Sequence, residues 1–374
     1  METVNTAALA LYVSSACFDD FPQEVVRKAK DCLQDGIGCA LGAAQTDIGG
    51  HHIALAPEIG GEGPCTVIGS KVRTSPCVAA QVNSDLTNLL DYDDMHWLTL
   101  SHPGCAIISA ALAIAQLRNL DSKEFLTAVI AGYEAGLRIG RAIRSVVVRH
   151  DGKEEVVSNP SYIVFGATAA ACNALQLDVV QTANAFGLSG STPINRGQSR
   201  VHFGGINAHP YTDNKYDMGV YGLLGVANAL KAQRLRSPGG VFDSDRWWSR
   251  CGANAWNEKE LTSGLGSEFR IMDIAFKPMC CGAVAGTPLT AVRAALNGRR
   301  LAPEEISEIV LIGIPRLECY EWADMVEAEF ATPSAVAMEV AGEEPGPTWF
   351  TSGRFSAPDI MAIASKIRFV EDPR

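Results

Sequence analysis

The chain has 374 residues, and its 31 Lys and Arg stand against 42 Asp and Glu, so the formal net charge is −11. This length suffices for two or three domains that each bury a core, while the negative charge argues against nucleic acid as a partner. No apolar stretch reaches the ~18–20 residues of a membrane-spanning helix, and the N-terminus lacks the basic region of a secretory signal. We therefore expect a cytoplasmic protein with no membrane partner.

The predicted elements in the first two thirds of the chain are helices. Apolar residues recur at three- and four-residue steps from Val25 to Leu41, and Pro22 occupies the first turn, which predicts an amphipathic helix. Four further segments combine helical length with small side chains and few charges, which is typical of helices buried in a bundle. These segments are residues 104–117, 124–143, 165–177 and 219–232.

Beyond about residue 264 the sequence pattern changes. Alternating apolar and polar residues predict a strand over 269–276, and the segments 306–314 and 366–370 also have strand character, whereas 288–296 is helical. We expect a mainly α protein with two domains. They are an all-helical bundle domain, residues 1–264, and a smaller α+β lid domain, residues 265–374.

The 11 cysteines are scattered and include no C-x-x-C pair, which is typical of reduced, buried thiols and not of a disulfide framework. Cys280 and Cys281 are adjacent, but no second pair of Cys or His lies nearby at ligand spacing. The motifs of nucleotide-binding loops, hydrolase elbows and zinc proteases are absent. The sequence thus predicts no metal site and no cofactor.

Three carboxylates and two imidazoles, including Asp91 and His102, lie within twelve residues just before the helix predicted at 104. Such a grouping suits general acid–base chemistry, because neighbouring charges and burial separate the pKa values of similar groups. An acidic loop that caps the helix is the simpler alternative. A metal site is disfavoured because a hard cation needs several more oxygen ligands.

Two lysines are candidates for binding an anion. Lys277 lies in the apolar segment 275–281, where a lysine either extends its ammonium to solvent or is kept for an anion. Lys215 lies shortly before the helix predicted at Gly219, whose N-terminus favours anions. It ends the polar stretch 190–215, which is too long for a plain connection and indicates a functional or a disordered loop. This stretch also contains Arg200, His202 and His209.

Short motifs along almost the whole chain carry a further signal. They are F-P-Q-E-V-V at 21–26, D-C-L-Q-D-G at 31–36, V-I-G at 67–69, A-A-Q-V-N at 79–83, L-D-Y-D-D at 90–94, H-P at 102–103, G-Y-E at 132–134, S-P at 237–238, F-K-P at 276–278, C-C at 280–281 and E-F-A-T-P at 329–333. In these motifs the chain resembles the MmgE/PrpD family, which includes dehydratases, decarboxylases and epimerases of small carboxylic acids. The combination D-Y-D-D with H-P is the most specific of them.

The resemblance implies an all-helical domain with a smaller α+β lid, a homodimer, no cofactor, and a cleft between the domains for a small di- or tricarboxylate. It places acid–base or binding roles on Asp91, His102, Lys215 and Lys277. The chemistry of the residues selects the same four positions, because each is a charged or titratable group in a context that favours burial or anion binding.

The chain departs from the family at three places. The stretch 156–166 has no counterpart of a family histidine, so Tyr162, His202 or His209 is the candidate replacement proton donor. No histidine follows Lys277, where 282–286 reads G-A-V-A-G. The sequence ends at Arg374, so we expect the family's C-terminal return to the helical domain to be absent.

We therefore expect a cofactor-independent lyase, a dehydratase that removes the proton α to a carboxylate of a small hydroxy di- or tricarboxylic acid. Asp91 and His102 would share the proton transfers, and Lys215 and Lys277 would hold substrate carboxylates and stabilise the charge that develops. Further candidates for carboxylate binding are Arg200, His202 and His209. One alternative is an epimerase or isomerase that uses the same proton abstraction. Another is a catalytically reduced homologue that binds a carboxylate or forms a structural dimer.

Overall fold

The first part of the chain is a bundle of helices joined by short connections. A computed structural model describes residues 4–148, 152, 154–157, 160–191, 218–236, 240–282, 285–313, 322 and 324–371. Helices α1 to α9 are Val4–Ser15, Gln23–Ala43, Asp47–Gly60, Pro76–Asn88, Gly104–Arg118, Ser122–Ala142, Ile163–Ala174, Val179–Ser191 and Gly219–Ala232. All five helices predicted in the first two thirds of the chain are confirmed, and each begins within two residues of its predicted start.

The strands are short and few in the described part of the chain. Strands β1 to β7 are Cys65–Thr66, Arg73–Thr74, Ile143–Val148, Glu154–Val157, Ala255–Trp256, Ile309–Ile312 and Ile367–Val370. β3 pairs antiparallel with β4 and β5, whereas β6 and β7 form a parallel pair with Ile309 opposite Ile367. The strands predicted at 306–314 and 366–370 are therefore confirmed, and the fold is mainly α.

The remaining helices are shorter and lie mostly in the last third of the chain. Helices α10 to α15 are Trp247–Arg250, Lys259–Thr262, Gly286–Leu296, Met325–Phe330, Thr332–Ala341 and Pro358–Ala364. Arg293 of α12 binds Glu339 of α14 through two hydrogen bonds of 2.6 and 2.7 Å. Within the described segments, no helix is both long and apolar enough to cross a membrane.

The strand predicted over 269–276 is wrong. The backbone forms a 3-10 turn at Arg270–Asp273, and the buried side chains are Ile271 and Ile274. This spacing of three matches the period of a 3-10 helix, whereas a strand would bury alternate residues. The N–H of Ile271 donates to Oε1 of the buried Glu134 at 2.9 Å, so packing against α6 selects the turn.

Two hydrophobic cores share two of the helices. The first core contains Val25, Ala29 and Cys32 of α2, and the second contains Ala40 and Ala43 of the same helix. Similarly, Ala79 and Ala80 of α4 belong to the first core, and Val78, Val82 and Leu86 to the second. The first core continues into α5–α9, and the second into the residues from Met279 to Ile367. The middle of α2 and the end of α4 therefore lie where the two cores meet.

Candidate active site

The acidic segment after α4 begins with a sharp reversal of the backbone at Asp91. This residue has a φ of 46°, in the left-handed region, and its N–H donates to the carbonyl of Asn88 at 3.0 Å. Asp and Asn adopt this conformation more readily than other residues with a Cβ, because their short polar side chains bond to nearby backbone. The turn keeps Asp91 buried at the end of α4.

Two reciprocal backbone hydrogen bonds bring the segment around Lys277 to this turn. The N–H of Met95 donates to the carbonyl of Ala275 at 2.8 Å, and the N–H of Ala275 donates to the carbonyl of Met95 at 2.9 Å. Two residues further along, Nζ of Lys277 donates to Oδ2 of Asp91. Only 7% and 5% of the two side chains are exposed. Residues 186 positions apart in the sequence thus form a buried ion pair.

Two opposing effects set the pKa of Lys277. Burial lowers it, because an interior of low dielectric disfavours the ammonium form. The charge and hydrogen bond of Asp91 raise it by more, and the pKa lies above its ordinary value. Lys277 is therefore a cation at neutral pH.

His102 lies between two carboxylates. Its Nε2 is 3.4 Å from Oδ1 of Asp91, and its Nδ1 is 3.2 Å from Oδ1 of Asp93. The side-chain amide of Asn88 donates to both oxygens of Asp93, at 3.0 and 3.2 Å, and so fixes that carboxylate. The arrangement thus suits His102 as a proton donor with Asp91 as the adjacent acceptor.

Asp94, in the same segment, binds the start of α5 and the hydroxyl of Tyr133. Its Oδ1 accepts from the N–H of Gly104 at 3.0 Å, and its Oδ2 accepts from the hydroxyl of Tyr133 at 2.6 Å. Burial, followed by the charge of Asp93, raises the pKa of Asp94 to about 6. The helix-capping alternative weighed for the acidic segment therefore describes Asp94, which binds the first N–H of α5, whereas Asp91 and Asp93 face His102.

An open cleft of about 520 Å³ lies at the ion pair. α2 contributes Asp31, Gln34 and Asp35 to its lining, and Lys277 and Tyr92 belong to it as well. A smaller apolar hollow of about 70 Å³ adjoins Lys277 beside Trp97 and Met279. Lys277 thus lines both the open cleft and the apolar hollow.

Tyr162 lies in a separate cluster of hydroxyl groups. Its phenol is 2.7 Å from Oγ of Ser101 and 3.0 Å from Oγ1 of Thr99, which is 2.9 Å from Nδ1 of His96. Burial raises the pKa of Tyr162 above its usual range and lowers that of His96 to about 4. The N–H of His96 also donates to the carbonyl of Ser101 at 2.9 Å. The cluster therefore holds the loop 96–101, which leads directly into His102.

The structure brings together Asp91, His102 and Lys277 among the predicted site residues. Tyr162 contacts the neighbouring loop, and its role as a proton donor stays a prediction. The other predicted residues lie outside the described part of the chain; they are Lys215, Arg200, His202 and His209.

Asn88 is a site residue that the sequence analysis missed. Its only sequence signal is its place three residues before Asp91 at the C-terminal end of a helix, which does not reveal a contact with Asp93. Cys280 and Cys281 are buried in the second core. No group of three or more metal-ligating side chains is arranged to hold an ion in the described segments.

The fold and the cluster define a mainly α protein with an Asp–His–Lys group beside an open cleft. The profile of the MmgE/PrpD N-terminal domain matches residues 7–205. The chain belongs to the MmgE/PrpD family, so the resemblance drawn from the sequence motifs is confirmed.

Three curated relatives are named as cis-aconitate decarboxylases or as a protein like them. A cis-aconitate decarboxylase of Aspergillus terreus is 26% identical over 301 residues, which cover 77% of this chain and 59% of the relative. A second protein with that name, also from Aspergillus terreus, is 27% identical over 308 residues, or 79% and 60% of the two chains. A cis-aconitate decarboxylase-like protein of Aspergillus oryzae is 28% identical over 191 residues, or 49% and 39%. The alignments with the first two relatives thus span about 60% of their length.

Proposed function

We propose that this protein is a lyase that acts on a small di- or tricarboxylic acid at the Asp91–His102–Lys277 cluster, with water as the leaving group. The observation that carries the proposal is that His102 and Lys277 both contact the carboxylate of Asp91, one at each oxygen. A proton acceptor, a proton donor and a fixed cation are therefore side by side. These are the groups that elimination next to a carboxylate requires.

Each group has a distinct part in the elimination. Lys277 holds a substrate carboxylate and stabilises the negative charge that develops when the adjacent C–H bond breaks. Asp91 takes that proton, and the electron pair forms the C=C bond as the C–O bond breaks. His102 donates the proton with which hydroxide leaves as water. The 3.4 Å contact between Nε2 of His102 and Oδ1 of Asp91 then returns the proton to the imidazole for the next turnover.

Decarboxylation is a second candidate because two relatives are named cis-aconitate decarboxylase. In that reaction a C–C bond breaks, CO₂ leaves, and its electron pair stays on the substrate as a carbanion. His102 would protonate the carbanion, and Lys277 would hold a carboxylate that is retained. The same cluster thus serves either bond cleavage, and the substrate decides which bond is lost.

A panel assay in D₂O separates these reactions. The protein is incubated with hydroxy tricarboxylates, cis-aconitate and aspartate-like dicarboxylates, and proton NMR follows α-proton exchange and vinyl signals. Vinyl product from a hydroxy acid supports the hydro-lyase, and vinyl product with CO₂ release from cis-aconitate supports the decarboxylase. Exchange with scrambled stereochemistry and no vinyl product would show an epimerase instead. Silence across the panel would leave a carboxylate-binding homologue.

Two variants test the cluster on the acid that is turned over. We expect Asp91→Asn and Lys277→Ala each to lower kcat/KM by about 100-fold or more, the loss typical of removing one preorganised charged group. Lys231→Ala is the matched control, because Lys231 is an exposed lysine in the last turn of α9. If both site variants keep turnover while folded, the cluster is not the active site. The homodimer implied by the resemblance stays a prediction alongside this proposal.

A further inference from the structure

Asp35 is a cleft residue that the proposed reaction has not yet used. It lies in the middle of α2, and it lines the same open cleft as Lys277. The backbone N–H of Asp94 hydrogen-bonds to its carboxyl group. Its Oδ2 is buried and has no hydrogen-bond partner among the described residues. A buried carboxyl oxygen without a partner is costly unless it carries a proton or meets a ligand.

The charges that face Asp35 are mostly negative. Asp93 and Asp94 approach it from the segment after α4, and Lys28 and Cys39 come from its own helix. Tyr92 and Asp31 are further titratable groups of the cleft wall. Burial is the largest effect on Asp35, and the charges of Asp94 and Asp93 add to it, so the pKa rises to about 8.

We infer that Asp35 binds the substrate as a neutral carboxylic acid, donating a hydrogen bond from its carboxyl group to a substrate carboxylate beside Lys277. The inference rests on the proposed function, because it takes the ligand to be a small polycarboxylate. An ionised Asp35 would repel such a ligand, whereas a protonated one adds a donor without adding charge. Together with Lys277 it would bind a polyanion in a cleft that also contains Asp31 and adjoins Asp91.

The first test compares the pH dependence of KM for the wild type, Asp35→Asn and Glu24→Gln. Asn keeps an acceptor for the N–H of Asp94 and a permanent donor at the position of Oδ2. We expect the KM of the wild type to rise about tenfold per pH unit above about pH 8, where the carboxyl loses its proton, with kcat changed little. Asp35→Asn should show a flat KM over this range. Glu24→Gln, an exposed residue in the first turn of the same helix and outside the cleft lining, should follow the wild type.

The second test does not need turnover. Calorimetric titration of the wild type with propane-1,2,3-tricarboxylate, repeated in buffers of different ionisation enthalpy, gives the number of protons taken up on binding. We expect uptake approaching one proton per chain near pH 9 and almost none near pH 6.5, since the ligand selects the protonated carboxyl. The same uptake in Asp35→Asn would assign the proton to another group.

The outcomes distinguish this inference from the proposed function. Equal KM profiles for the wild type and Asp35→Asn, a KM raised at least tenfold at pH 7 in Asp35→Asn, or binding without proton uptake would each overturn the role of Asp35. A protein that turns over no acid in the panel, yet binds the tricarboxylate with proton uptake, would refute the lyase and keep Asp35 as a carboxylate-binding residue. Failure of the tricarboxylate to bind at any pH would refute both.

Discussion

The position of Asp91 requires both a left-handed backbone conformation and a negatively charged side chain. Its φ of 46° favours Asp or Asn over other residues with a Cβ, and its carboxylate binds Lys277 and His102. Asn meets the first requirement but not the second, and Ala meets neither. Two substitutions at one position therefore separate the conformational contribution from the electrostatic one.

We predict that Asp91→Ala lowers the free energy of unfolding by about 1 kcal/mol more than Asp91→Asn does, because only Ala opposes the left-handed backbone. Both variants lose the ion pair with Lys277, so this loss cancels in the comparison. Urea denaturation of the two variants gives the difference directly. Equal stabilities would show that the turn at Asp91 imposes no conformational preference.

The sequence made part of this site predictable. Asp91, His102 and Lys277 are detectable because each is a charged or titratable group in an apolar or acidic context. Their contact is not detectable in the same way, because Lys277 reaches Asp91 only through the backbone pairing of Met95 with Ala275. Asp35 lies in a recognised motif, but its partnerless oxygen arises from the packing of α2 against the segment after α4.

We predict that Asp35→Asn becomes more stable relative to the wild type as the pH rises. The pKa of Asp35 is about 8 in the folded protein, above the ordinary value of about 4 for an aspartate. Between these values the unfolded chain has lost a proton that the folded chain keeps, so wild-type stability falls with rising pH. Asn has no proton to lose and escapes this decrease.

Urea denaturation at several pH values measures this effect. The difference in unfolding free energy between Asp35→Asn and the wild type should grow by about 2 kcal/mol or more from pH 5 to pH 8 and level off above that. Asp31→Asn serves as the control on the same helix. A constant difference across this range would show that Asp35 titrates normally.

At the scale of elements, the helices of the first core were predictable because small residues are typical of helices that pack closely against other helices. An added Cβ at Gly136 of α6 would lie 2.9 Å from Cα of Gly166 in α7, so these two helices touch through their backbones. The segment 269–276 was not predictable from alternation, because its contacts with α6 and with Phe21, whose ring lies 5.9 Å from that of Phe269, select a 3-10 turn. Local pattern identifies an element well only where packing does not override it.

We predict opposite effects for two glycine-to-alanine substitutions in helices. Gly136→Ala should lower the free energy of unfolding by about 1–3 kcal/mol, because the methyl group would force α6 and α7 apart. Gly50→Ala in α3 should raise it by about 0.5–1 kcal/mol, because Gly50 is exposed, with no neighbour within 4 Å of an added Cβ, and alanine favours the helix. Thermal and urea denaturation of the pair test both signs. Equal effects would contradict the close approach of the two helices.

At the scale of the whole molecule, the candidate site lies where the two cores meet. Ile274 belongs to the first core and Met279 to the second, so Lys277 lies on the connection between them. Asp35 likewise lies between Cys32 of the first core and Ala40 of the second. The predicted boundary near residue 264 stays a prediction. Within the described segments, α2 and α4 contribute to both cores, which a boundary at one chain position does not capture.

Helices α2 and α4, which both cores share, link the unfolding of one core to that of the other. Loss of the second core would expose Ala40 and Ala43 of α2 as well as Val82 and Leu86 of α4, while the other faces of these helices stay packed in the first core. Exposing buried apolar area costs about 25 cal/mol per Å², so a state with only one core folded is disfavoured. We therefore predict that the two cores unfold in a single transition.

Tryptophans report on each core separately. Trp247 lies in the first core and Trp349 in the second. In protein labelled with 5-fluorotryptophan, fluorine NMR during urea denaturation gives one signal for each, assigned with Trp247→Phe and Trp349→Phe. Both signals should lose their folded intensity at the same urea concentration, together with the far-ultraviolet circular dichroism. An earlier midpoint for Trp349 would mean that the second core opens while α2 and α4 stay folded. The shared helices would then not couple the unfolding of the two cores.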